Sequence, residues 1–235
     1  MAETLWREIE TALKAEIASG RYQPGEKLPT EAALARRFGV NRHTARRALA
    51  AMAEAGLILT RRGSGAFVAF RPATYPLGRR VRFHQSFTEA GRSPTKEILR
   101  LETLPAGPRE AEALGLAPGE MVHVWEGIGL ADGAPLSYFR AAFPAARLPG
   151  LKEGLAETRS VTAALAQAGI PDYVRVSTRL SAERARPFEA RHLRLAEGAP
   201  LLLSVSVNAT PGGEPVEYGR TWFAGDRVVL EVAAG

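Results

Sequence analysis

The chain has 235 residues, no cysteine, 31 Lys and Arg against 25 Asp and Glu, and a formal net charge of +6. The absence of cysteine removes disulfide frameworks, Cys-based zinc sites and thiolate nucleophiles, and fits a cytoplasmic protein. There is no apolar leader and no run near the roughly 18 apolar residues a membrane span needs, so neither secretion nor a membrane partner is expected.

The charge is unevenly placed. Residues 31–71 carry eight arginines against two glutamates, a surplus as large as that of the whole chain, whereas residues 72–235 hold 19 basic and 18 acidic groups. This asymmetry predicts two domains, at 1–71 and 81–235, with a linker at 72–80 where Pro72, Pro76 and Gly78 discourage helix and strand alike. A small basic module is the electrostatic footprint of a nucleic-acid contact, so the first third is expected to bind double-stranded DNA.

In chain order, Trp6, Ile9, Leu13 and Ile17 recur at helical spacing, and Gly20 ends a first, supporting helix. Thr30 caps a second helix, whose Leu34 and Phe38 face inward and whose N-terminal amides can hold a phosphate, and Gly39 stops it. Asn41 caps a third helix with an inward stripe at Ala45, Ala48, Leu49 and Met52. Its other face presents Arg42 and Arg46, four residues apart near the N-terminus, the end a recognition helix inserts into the major groove. An arginine there can grip guanine bidentately, worth about 1–3 kcal/mol of discrimination. His43 and Thr44 are the neighbours placed for a second base or a phosphate. Two short apolar runs at 57–60 and 66–70 then form a hairpin with a basic, glycine-rich tip. In it Gly63 and Gly65 allow close backbone approach, and Arg61 or Arg62 is drawn to the minor groove.

Beyond residue 80, strands are predicted at 97–102, 121–130, 136–143, 173–183, 201–209, 216–223 and 228–232, and helices at 84–90, 108–114, 160–168 and 187–193. Turn residues at Asp132-Gly133 and at 211–214 join neighbouring strands, so the sheet is expected to be mostly antiparallel and the domain α+β. No catalytic pattern appears. His84, His123 and His192 are scattered, and Gly127-Ile128-Gly129 is not followed by a helix N-terminus, so no enzyme activity, metal or cofactor is expected.

The run ASGRYQPGEKLPTEAALARRFGVNRHTARRALAAMAEAGLILTRRGSGAFV (18–68) resembles the winged-helix domain of GntR-family transcriptional regulators. The resemblance implies that Arg42, Thr44 and Arg46 face bases or phosphates, that Gly65 enters the minor groove, and that two such domains bind a palindromic site, hence a homodimer. Many family members place arginine where this chain has Ala32. The second part is similar to the ligand-sensing domain of the HutC branch, a chorismate-lyase-like fold, on the segments RFHQSFTEAGRSPTKEIL (82–99), GLADGAP (129–135) and EPVEYGRTWFAGDR (214–227). Within that branch, NRHTARRA (41–48) and RPATYPLGRRVRF (71–83) look most like repressors of phosphonate utilisation.

By this resemblance Ser86 and Phe87 begin one helix lining an effector pocket, Ser160 begins another, and Glu217 and Tyr218 lie on a strand across it. Phosphosugar sensors of the branch carry two arginines where this chain has Gly127 and Gly129; Arg82 and Arg140 are the candidate substitutes. The expected function is a DNA-binding repressor released by a small anionic metabolite such as a phosphonate. A sugar phosphate or a urocanate-like molecule is the alternative effector, and a lyase-like enzyme fused to a DNA-binding domain is a further reading.

Overall fold

The computed structural model describes residues 2–232 apart from 62, 71, 79, 81–87, 89, 90 and 92. The predicted helix at 84–90 and the candidates Arg62, Arg82, Ser86 and Phe87 lie outside the described residues. The chain divides into two compact units, Met1–Arg71 and Pro72–Gly235.

In the first unit, helix α1 (Ala2–Ala18) is followed by α2 (Glu31–Phe38), α3 (Arg42–Glu54) and an antiparallel hairpin of β1 (Ile58–Arg61) and β2 (Gly65–Val68). The helix ends follow from side-chain chemistry. Thr30 accepts from the Ala33 amide at 3.2 Å and Asn41 from the Thr44 amide at 2.8 Å, each satisfying an amide the helix leaves unpaired. Gly39 takes the left-handed conformation at the end of α2, with φ 65°. Ile9 and Leu13 of α1 meet Leu34 of α2 and the Ala45, Ala48, Leu49 and Met52 stripe of α3 in one core, which Ile58 and Val68 of the hairpin close. Glu16 of α1 is bonded by both Arg21 and Arg37, tying α1 to α2 at the surface.

The second unit is built on a six-stranded antiparallel sheet in the order β4-β5-β6-β9-β8-β7, formed by β4 (Pro94–Pro105), β5 (Met121–Ala131), β6 (Ala134–Pro144), β7 (Val174–Arg184), β8 (Pro200–Ala209) and β9 (Pro215–Ala224). Asp132 and Gly133 both have positive φ and form the two-residue turn between β5 and β6, which suits the twist of a hairpin. Four described helices cover the sheet: α4 (Pro108–Leu114), α5 (Leu151–Thr158), α6 (Val161–Gln167) and α7 (Pro187–Leu193). Side chains alternate along a strand, so one face receives Trp125, Ala141 and Phe143, which pack on α5 and α6. The opposite face receives Ala142 and Tyr218 under α4, and Tyr138 and Trp222 under α7.

Two elements depart from the sequence reading. The stretch 72–80, expected as linker, contains strand β3 (Ala73–Pro76), which pairs in parallel with β10 (Val228–Glu231) and buries Ala73 and Tyr75. Its partner lies some 150 residues away, so no local pattern announces the pairing. Helix α5 has no counterpart among the predicted helices, and it carries a glycine, a poor helix former, at 154. Gly154 allows close packing, since a side chain there would meet the Ala164 Cβ of α6 at 3.2 Å.

Candidate functional site

The first unit carries an open groove of about 830 Å³ lined by Thr30, Glu31, Ala32, Arg42, Arg46, Gly63 and Gly65. It is bounded by the start of α2, the exposed side of α3 and the hairpin tip, so Thr30, Arg42, Arg46, Gly63 and Gly65 are brought together. His43 stands exposed on the first turn of α3, outside the groove lining, and the Thr44 hydroxyl is held by Asn41 at 3.0 Å.

Arg46 donates through Nε and Nη2 to the two carboxylate oxygens of Glu31 at 2.9 and 2.8 Å. This bidentate bond, with the charges of Arg46, Arg42 and His43, holds the Glu31 carboxyl below its ordinary range. Arg46 is therefore presented in one orientation on the groove, whereas Arg42 has no hydrogen-bond or ion-pair partner among the described residues.

The basic surplus of this unit is only partly available to a partner. Arg37 is bonded to Glu16, and Arg47 lies over the Trp6 ring at 5.0 Å. Lys27, which the sequence reading passed over, lies against Gly65, where an added Cβ would meet its Cε at 3.0 Å. Its bridge to Phe67 of β2 brings it to the wing.

The second unit carries a partly open cavity of about 130 Å³ on the α6 face of the sheet. An engineered protein cavity of about this size accepts benzene, so the occupant is a small molecule. Ser160, which caps α6 by accepting from the Ala163 amide, lines it, and so does Glu217 of β9. Arg140 borders it, but its guanidinium donates to Glu126 at 2.9 Å and to Glu110, so the charge is spent elsewhere. Tyr218 corrects the expectation: next to Glu217 on the strand it points to the other face, where it packs with Leu114, Val122, Val124 and Ala142. Gly127 lies on β5 opposite Phe139 of β6, and Gly129 opposite Ser137. The Phe139 ring fills the space over Gly127, at 2.8 Å from where a Cβ would be.

The polar groups that dominate this cavity were missed. Lys96 of β4 has its Nζ 4.7 Å from the Trp125 ring centroid and 5.8 Å from that of Phe139, over their electron-rich faces. Burial pulls its ammonium down to about 8, and Glu217 opposes that shift. It has no hydrogen-bond or ion-pair partner among the described residues.

Burial raises the Glu217 carboxyl, against a 2.6 Å bond from the Asn208 side-chain amide and the nearby charges of Arg175 and Lys96. Arg175 donates weakly to Asn208 at 3.4 Å and interacts with the Tyr75 hydroxyl. The indole Nε1 of Trp125, a residue 1% exposed, is buried without a hydrogen-bond partner among the described residues. Two cations, one carboxylate and an unused indole donor thus line a space of small-molecule size. The signal that could have found Lys96 is compositional, for it is one of four lysines in a chain that takes 27 of its 31 basic residues as arginine.

Comparison with known proteins agrees with both units. Residues 5–68 match the model of the bacterial regulatory proteins of the gntR family, and residues 89–229 match the UTRA domain. The chain is 41% identical over 233 residues to the HTH-type transcriptional regulator RB1450 of Rhizobium meliloti, covering 99% of this chain and 96% of that one. It is 35% identical over 228 residues to the probable transcriptional regulator PhnF of Escherichia coli, covering 96% and 93%. The crystal structure of PhnF from Mycobacterium smegmatis superposes with a TM-score of 0.67 at 25% identity, over 98% of this chain and 99% of that one. On these matches the chain belongs to the GntR family of bacterial regulatory proteins, as a ligand-responsive, DNA-binding transcriptional regulator with a UTRA domain.

Proposed function

We propose that this regulator is a cytoplasmic, homodimeric, non-enzymatic repressor that two winged helices hold on an inverted-repeat operator and that a small anionic metabolite, such as a phosphonate, releases. The observation that carries the anionic effector is Lys96, an ammonium in the cavity beside Arg175 and the Trp125 indole that has no hydrogen-bond or ion-pair partner among the described residues. A buried cation is costly, the nearby Glu217 carboxyl is itself raised by burial and bonded by Asn208, and a bound anion offsets the cost. The small volume and the Phe139 ring over Gly127 favour a compact anion over a sugar phosphate. The open outer edge of β7, with Val176 and Leu180 exposed, offers a surface for self-association.

Release needs a ligand that prefers one arrangement of the dimer over another, and a coupling of about 1–3 kcal/mol suffices. Tyr75 supplies the route. It lies on β3, which begins two residues into the second unit, and its ring forms part of the cavity wall 5.3 Å from that of Phe223. An occupant that displaces Tyr75 acts on the β3–β10 pairing and so on the segment leading back to the DNA-binding unit.

The test is fluorescence anisotropy on DNA from upstream of the protein's own gene, titrated at fixed ionic strength with phosphate, alkylphosphonates, aminoalkylphosphonates, sugar phosphates and urocanate. Salt is held constant because protein–DNA affinity falls steeply with added ions. Release by a small anion that Lys96→Met abolishes is the expected result. Tight binding that none of them disturbs discards the anionic effector.

A further inference from the structure

Lys96 is placed for chemistry that binding an anion does not require. Of the 31 basic residues 27 are arginine, and the cavity already holds a fixed cation in Arg175. A guanidinium stays charged and forms the better fork for an acid group, so an anion alone does not call for a lysine. What only lysine offers is a primary amine that can lose its proton and attack a carbonyl carbon.

The surroundings of the amine suit that attack. Lys96 makes no hydrogen bond or ion pair among the described residues, so its Nζ is not committed elsewhere. The Trp125 and Phe139 rings flank it, with centroids at 4.7 and 5.8 Å. Directly across the β4–β5 pair stands Gly129, which also lines the cavity and has no side chain to fill the space before the amine. Burial holds the ammonium down at about 8. Roughly a quarter of it is then neutral at pH 7.5, against about one part in a thousand for an ordinary lysine.

The proton donor that imine formation needs lines the same cavity. The Glu217 carboxyl is raised by burial and feels the charge of Lys96 without forming an ion pair with it among the described residues. Asn208 bonds one of its oxygens at 2.6 Å, and the other has no hydrogen-bond partner among the described residues.

We propose that Lys96 captures a small oxo acid, an aldehyde or ketone carrying one acidic group, as a reversible imine, with Arg175 receiving the acid. This rests on the anionic reading of the effector and names its reactive group. The neutral Nζ lone pair bonds to the carbonyl carbon while the C=O π pair moves to oxygen, and transfer of a proton from nitrogen to that oxygen gives the carbinolamine. Glu217 then gives its proton to the hydroxyl, which leaves as water as the nitrogen lone pair closes the C=N bond. One amine, one carbonyl and the Glu217 proton become an iminium, a water and a carboxylate, and water reverses the sequence. The iminium keeps the charge Lys96 had as an ammonium. With Arg175 it makes two cations against the Glu217 carboxylate, and the ligand's acid group supplies the second negative charge. A space of about 130 Å³ limits the ligand to a few carbons.

The experiment treats the full chain with glyoxylate, a two-carbon aldehyde acid, and sodium cyanoborohydride, which turns an imine into a stable secondary amine that peptide mass spectrometry locates. Lys96 is expected to be labelled at least tenfold faster than Lys14, Lys27 and Lys152, the other lysines of the chain. All four are compared in the unmodified protein, so no variant has to fold for the test to decide. Labelling of Lys96 should slow severalfold in Glu217→Gln, and Arg175→Gln should remove its preference for glyoxylate over propionaldehyde, which has no acid group. Labelling of Lys96 no faster than that of the other three overturns the proposal, as does equal labelling by propionaldehyde and glyoxylate in the unmodified protein. Calorimetry with methylphosphonate, an anion without a carbonyl, separates the two readings. Binding that Lys96→Met abolishes, together with no selective labelling, sinks the imine and leaves the anionic effector standing.

Discussion

The two units handle charge in opposite ways. In the winged-helix unit the cations proposed for DNA are exposed: Arg42 lines an open groove with no hydrogen-bond or ion-pair partner among the described residues, and Arg46 is steered by a surface glutamate. In the UTRA unit the cation proposed for the effector is withdrawn from the surface, with Lys96 stacked on aromatic rings in a cavity of about 130 Å³. The difference follows from the partner. DNA is long and uniformly charged, so affinity comes from many screened contacts spread over a surface. A small effector makes few contacts, so each has to be strengthened by removal from water.

The sharpest way to break this comparison is Lys96→Met. Loss of a charged hydrogen-bond donor inside the cavity is expected to cost the effector about 1.5–3 kcal/mol, read by isothermal titration calorimetry, with operator affinity unchanged. Equal loss of both would mean that Lys96 is structural. The same residue sets a pH dependence. Its ammonium is pulled down to about 8 from the ordinary 10.5, so the folded chain holds fewer protons than the unfolded chain between those values. Stability should therefore rise with pH across that window, and Lys96→Met should flatten the rise in thermal melts. Affinity for an anionic effector should fall as pH climbs through about 8, by a limiting factor of about ten per unit.

Arg46→Ala should weaken specific operator binding by about 1–3 kcal/mol in anisotropy, with little effect on random DNA if the arginine reads a base. Equal loss on all sequences would recast it as a phosphate contact. Glu31→Ala is expected to act less strongly, by about 1 kcal/mol, because it removes the partner that orients Arg46 and leaves the guanidinium itself. A loss of specificity larger than that of Arg46→Ala would show that Glu31 contacts the operator itself.

Tyr75→Phe should have the smallest effect. Without the hydroxyl that meets Arg175, effector-induced release should shift by about 0.5–1.5 kcal/mol while operator affinity in the absence of effector stays the same. Unchanged release would remove Tyr75 from the route between the two sites.

Much of the fold was legible because it is local. Thr30 and Asn41 cap the helices they were expected to cap, α4 and α7 have the predicted bounds, and Asp132-Gly133 turns the expected hairpin. The candidate sites were legible unevenly. Five of the eight residues proposed for the DNA surface line one groove, because α2, α3 and the hairpin are adjacent in sequence and dock in the only order short connections allow. Of the described effector candidates, Ser160, Glu217 and Arg140 border the cavity, and the Arg140 guanidinium is taken by Glu126 and Glu110. Tyr218 could have been rejected from the sequence alone, since neighbours on a strand face opposite sides.

The sequence by itself established the module order, the stops and starts of the helices it predicted at α2, α4 and α7, the basic first third and the antiparallel character of the sheet, because caps, turns and hydrophobic periods act over a few residues. Only the tertiary structure decided which cations are available. Arg37, Arg47 and Arg140 read as free charges but are engaged by Glu16, Trp6 and Glu110, whereas Lys96, Arg175 and Tyr75 come together from strands far apart in the chain. A charge's availability depends on what lies within a few ångströms of it, and across a sheet that neighbour is set by strand register rather than by position in the chain.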